Sequence, residues 1–161
     1  NINLLTMDKI TKSLINYLKD EGIAYQLCFN CKNRVRDAVL NSTCFQMKSK
    51  SHKGYQISMI VEVYTGDDSV HFTAFPHAVY DEQQKSKMEE YAQRWRKMHV
   101  PTRLYVEEEL GVDEMNKYCI ELCMTAFSSA DGMDKYLWQK YIQHMFKASE
   151  TAWINIDKVT S

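Results

Sequence analysis

Glycine and proline are scarce, 5 and 2 in a chain of 161 residues. That scarcity excludes a flexible linker or a low-complexity segment and leaves no place to divide the chain, so residues 1–161 read as a single domain. Long hydrophobic runs are also missing. None approaches the roughly 18 residues that cross a bilayer, and no charged-then-apolar signal segment stands out, so no membrane partner is expected. Neither sign of charge dominates: 20 basic against 21 acidic side chains give a net charge of −1. A global field for drawing in nucleic acid or an anionic membrane is therefore absent. The chain has no glycine-rich phosphate loop, no nucleophile elbow and no histidine pair at metal-ligand spacing. It reads as a non-enzyme with no cofactor.

Cysteine is the exception to this plainness, with 5 in the chain: Cys28, Cys31, Cys44, Cys119 and Cys123. An odd count points to reduced thiols and a cytoplasmic location. Cys28-Phe29-Asn30-Cys31 has the spacing of a metal knuckle or a redox pair, but a polar turn follows it where a redox pair needs a helix N-terminus. Cys119 and Cys123 lie four apart on a strand, about 13 Å between Cα atoms, too far to share one tetrahedral ion without a bulge. A thiol or metal site using Cys28 and Cys31 with Cys119 or Cys123 is thus a rival reading beside small, semi-buried packing residues. His71 falls opposite Val70 and Phe72, and joins Glu121 and Cys119 only under one particular strand order. In Arg94-Trp95-Arg96-Lys97 the tryptophan belongs to a buried stripe and the cations to an outer helix face; the basic loop at 48–53 is the other cationic patch. No nucleic-acid partner is expected.

What the chain does have is periodicity. Thr6 reads as an N-cap with Asp8 in the first turn and Leu5 stapled to Ile10; Ile10, Leu14, Tyr17 and Leu18 form a stripe, and Gly22 ends the helix. Tyr25, Leu27 and Phe29 alternate as a strand; 35–40 is ambiguous; 43–47 reads as a second strand. Tyr55, Ile57, Met59, Val61 and Val63 alternate, turn at 65–68, and return through Val70, Phe72 and Ala74. Asp81 with Gln84 forms a capping box for a helix whose stripe is Met88, Tyr91, Ala92, Trp95 and Met98, closed by Pro101. A hairpin follows at 103–109 and 118–126, turning at Gly111-Val112-Asp113. A long helix over 137–153 gathers its apolar residues on one half of its circumference, with Ser149 among them. Leu137, Tyr141 and Met145 are expected to face the core, and Trp138, Ile142 and Phe146 to form an outer contact flank.

The order α-β-β-β-α-β-β-α predicts an α+β fold, a single antiparallel sheet of about five strands with three helices mainly on one face. Ile60, Tyr64, Phe75 and Phe127 then fall on the opposite pleat and call for cover by a partner chain or a second copy in a homodimer. Three segments resemble the YbjN-like family and the wider secretion chaperone-like fold: the opening helix ending in Asp20-Glu21-Gly22-Ile23-Ala24-Tyr25, the meander 55–75 with the helix at 82–98, and 105–127 running into the last helix. The resemblance implies a small bacterial, non-enzymatic binding protein, chaperone-like or regulatory and often dimeric, with no catalytic residue to transfer. The expected protein-binding residues are Trp138, Ile142, Phe146, Ile60 and Tyr64. An immunity or antitoxin-type inhibitor would share the same binding physics with a different partner.

Overall fold

A computed structural model describes residues 8–35, 38–49, 56–64, 68–108, 116–127 and 133–161, with side chains throughout except at 29–41. The first helix, α1 (Lys9–Asp20), begins at Asp8, whose carboxylate accepts from the Thr11 N–H at 2.7 Å. Asp8 is the cap itself, which corrects the assignment to Thr6; Thr6 and Leu5 lie outside the described residues. At the other end Gly22 takes φ +64, Gly22 N–H donates to Lys19 O at 3.1 Å and Ile23 N–H to Leu18 O at 2.9 Å. This pair of bonds is a Schellman closure, which needs a residue that tolerates positive φ at Gly22.

Among the described residues seven strands form one antiparallel sheet: β1 (Tyr25–Val35), β2 (Ala38–Ser49), β3 (Ile57–Tyr64), β4 (Ser69–Pro76), β5 (Tyr80–Asp81), β6 (Arg103–Glu108) and β7 (Lys117–Phe127). The path is β1-β2-β3-β4-β7, with β5 beside the start of β7 and β6 along its other edge. The expectation of about five strands was low, in part because β5 is too short to show a period; of the ambiguous stretch, Val35 ends β1 and 38–40 begin β2. The turns expected at 65–67 and 111–113 and the basic residues at 50–53 lie outside the described residues. No helix among the described residues is long and apolar enough to cross a membrane.

Alternation decides what each pleat carries. Met59, Val61 and Val63 on β3, Val70, Phe72 and Ala74 on β4, and Ile120, Leu122 and Met124 on β7 are all buried on one side. The helices cover that side. In α2 (Glu82–Met98) Asp81 is the N-cap and its N–H donates to Gln84 Oε1 at 2.8 Å, the capping box read from the sequence. Met88, Ala92 and Trp95 turn inward, but Met98 does not: it is 76% exposed, a departure from the expected stripe.

The last helix, α3 (Lys135–Thr160), runs seven residues further than its sequence pattern suggested and is capped by Asp134, which accepts from Leu137 N–H at 2.9 Å. Its core face is Trp138, Ile142, Met145, Ser149, Ala152, Trp153 and Ile156. Trp138 is 0% and Ile142 2% exposed, so neither lies on an outer contact flank. Leu137 and Tyr141, assigned to the core, are half-buried beside it, as is Phe146 on the far flank. The physical reason is rotational. At about 100° per residue, Trp138, Met145, Ser149 and Ile156 sit within about 20° of one line, whereas Leu137 and Phe146 fall about 80–100° to either side. Trp138 packs near Phe72, ring centroids 6.3 Å apart, and its indole N–H donates to Ser13 Oγ at 2.7 Å, joining α3 to α1. Tyr80 donates to Asp157 at 2.7 Å and Asn155 to the Tyr91 hydroxyl at 2.8 Å, tying α3 to β5 and to the middle of α2.

Candidate functional site

With the helices on one pleat, the other pleat carries no helix among the described residues, and strand register fixes what it displays. One row runs across five strands, Gln46–Ile60–Thr73–Cys123–Arg103; the next holds Cys44, Glu62, His71 and Thr125. Beyond that Ser42, Tyr64, Ser69 and Phe127 align, and on the opposite side Lys48, Ser58 and Phe75. Ile60 and Phe75 are half-buried and Phe127 is 76% exposed. Tyr64 is buried to 8% exposure because its ring meets His71 edge-on at 4.8 Å and its hydroxyl donates to Glu62 Oε2 at 2.9 Å.

His71 is held on both ring nitrogens, Nε2 at 3.2 Å from Ser69 Oγ and Nδ1 at 3.2 Å from Thr125 Oγ1. It does not meet Glu121 and Cys119: Thr125 is its cross-strand partner, and Glu121 lies four residues further along β7, about 13 Å away. This polar cluster locks side chains in place on the open pleat, so the face offers fixed hydrogen-bonding groups between its apolar residues.

The cysteines are not gathered. Cys28 on β1 is separated from β7 by β2, β3 and β4, four strand spacings or about 19 Å, so it cannot share an ion with Cys119 or Cys123. Cys28 is moreover disulfide-bonded, which corrects the reading of five reduced thiols. Among the described residues no three His, Cys, Asp or Glu side chains group as metal ligands. Cys123 lies 4.0 Å from Thr73 Oγ1, and burial pushes its thiol up to about 11, with the hydrogen bond to Thr73 opposing and Glu121, Glu107 and Glu62 adding to the rise. Such a thiol is protonated at neutral pH and a poor nucleophile.

Sequence reasoning missed the corner between α2 and β6. Met98 and Val100 are 76% and 78% exposed there, and beside them a cleft of about 610 Å³ opens against the end of β7, lined by Arg96, Pro101, Arg103, Tyr105, Thr125 and Phe127 among others. Arg96 donates to Leu104 O at 2.7 Å and stands 5.5 Å over the Tyr105 ring, which fixes its cation at the cleft. No local signal marked it: the stripe read from the sequence carried on through Met98, and only the structure shows Met98 and Val100 exposed.

Among the described residues three helices lie on one pleat of the sheet and none on the other, an α+β architecture with the YbjN-like fold. The crystal structure of YbjN from E. coli, a protein named as a proposed transcription regulator, matches with a TM-score of 0.61 over 91% of this chain and 90% of that one, at 10% sequence identity. At that identity the likeness is one of fold. No family model matches the sequence, and no curated protein does.

Proposed function

We propose that the chain is a non-enzymatic, protein-binding domain of small bacterial type, chaperone-like or regulatory, that takes its partner on the open pleat of the sheet. The observation that carries this reading is the pleat itself: Ile60, Phe75 and Phe127 punctuate a face over which no described helix lies. Ile60 stays in the proposed contact set; burial removes Trp138, Ile142 and, at 8% exposure, Tyr64 from it, and Phe146 lies on α3 rather than on the open pleat. A non-enzymatic role is supported by His71, whose two nitrogens are engaged by hydroxyl groups, and by the raised thiol of Cys123. A cytoplasmic location belongs to the same proposal; the disulfide at Cys28 weighs against it, and cell fractionation decides.

A second copy of the chain is one partner the face could take. Light scattering on the purified protein tests that occupant directly, a doubled mass supporting a homodimer. The broader reading is tested by the double variant Ile60→Glu, Phe75→Glu. It is expected to keep its circular dichroism spectrum and lose association with its partner; unchanged association would sink the open-pleat reading.

A further inference from the structure

The α2–β6 corner interrupts the sheet in a particular way. β6 pairs with β7 from Glu108↔Tyr118 to Arg103↔Cys123 and stops, while β7 continues to Phe127. The residues that would continue the ladder opposite Met124 and Thr125 are Thr102 and Pro101. Thr102 has given its N–H to His99 O at 2.9 Å, and proline has none to give. Among the described residues, the stretch 124–127 of β7 therefore has strand partners on the β4 side and none on the β6 side. A bare edge of four residues, about 13 Å long, faces the cleft.

The surroundings of that edge define its complement. Two guanidinium groups, Arg96 and Arg103, line the cleft and no carboxylate does; neither arginine is in an ion pair among the described residues. Exposed Val100 and Phe127 line it with apolar surface. Two copies of the chain would bring like charges together here, which disfavours self-association at this spot. The aliphatic rim has no use for a phosphate backbone, but fits the side chains of a peptide.

We infer that the cleft between the α2–β6 corner and the free edge of β7 receives an extended, acidic segment of a partner protein, whose carboxylates meet Arg96 and Arg103 and whose backbone pairs with 124–127. This inference rests on the protein-binding reading above and names one end of the same open pleat as the place of entry.

The probe is a fluorescein-labelled octapeptide of alternating glutamate and valine, with a lysine-valine counterpart and a 20-base-pair DNA duplex as comparisons. Binding is followed by anisotropy and mapped by amide chemical shifts on the full chain. The glutamate peptide is expected to saturate, with shifts concentrated at 100–103 and 124–127, and the exposed substitution Arg103→Glu to weaken it about tenfold while leaving circular dichroism unchanged. The lysine peptide is expected not to bind. Equal binding of both peptides, no effect of Arg103→Glu, or no saturation would overturn the inference. Shifts centred on Ile60 and Phe75 instead would overturn the cleft and retain the open-pleat reading. Tighter binding of the duplex at the same residues would overturn the choice of a protein partner.

Discussion

The indole N–H of Trp95 donates to Thr102 Oγ1 at 3.1 Å in a buried setting, and the same hydroxyl donates to His99 O at 2.6 Å. Through that one oxygen the end of α2 is fastened to the residue before β6, and Trp95 also stacks on His99 with ring centroids 3.9 Å apart. Thr102→Val keeps the shape and deletes the oxygen, stranding a buried indole donor. The expected cost is about 1–3 kcal/mol, read as a lower urea midpoint with unchanged slope. An unchanged midpoint would show that the fastening is dispensable.

Trp138 sits at the centre of the core face of α3, and Phe146 at its margin. Trp138→Ala is expected to lose about 3–5 kcal/mol through cavity formation and the orphaned Ser13 contact. Phe146→Asp should leave a folded protein. Thermal melts of the two variants check the order, and a Phe146→Asp protein that melts earlier than Trp138→Ala would reverse it.

Gly22 at φ +64 has no atom within 4 Å of where a Cβ would sit, so Gly22→Ala meets no clash but must adopt a conformation disfavoured for L-residues. A loss of about 1 kcal/mol in chemical denaturation is expected. A gain would mean that α1 can end without the left-handed turn.

Alkaline pH should destabilise the fold. Cys123 is raised from 9.0 to about 11 by burial, and Tyr118 from 10.0 to about 12, chiefly by donating its hydroxyl to Glu82. Both groups hold their protons more tightly folded than unfolded. Their contribution is complete below pH 9 and is lost as pH climbs from about 9 to 12. Urea midpoints measured across that range should fall, and Cys123→Ala should flatten the part between about 9 and 11. A midpoint independent of pH there, in the parent chain, would contradict the assigned causes.

Much of this architecture was legible because period and caps are local signals. The alternation through Tyr118, Ile120, Leu122 and Met124, the capping box at Asp81 and the glycine stop at Gly22 all reappear in the structure. The rotation of α3 was legible and was misjudged: at about 100° per residue the apolar residues of 137–153 already centre near Trp138 and Met145, with Leu137 and Phe146 at the edges of the arc. The outer pleat was identified residue by residue, but its rows depend on register between distant strands, which no local pattern contains. Hence His71 was set beside Glu121 and Cys119 as an option when Thr125 is its neighbour. The cleft at the corner was invisible for the same reason, since it exists where β6 stops and β7 does not.

The open pleat is most directly tested by placing a benzophenone photo-crosslinking residue at Ile60 or Phe75, and separately at Gln143 on the exposed back of α3, in cells that make the protein. Illumination is expected to yield one discrete adduct from positions 60 and 75 and none from 143. An adduct from Gln143 alone, or equal adducts from all three, would contradict the assignment of the binding surface to the sheet.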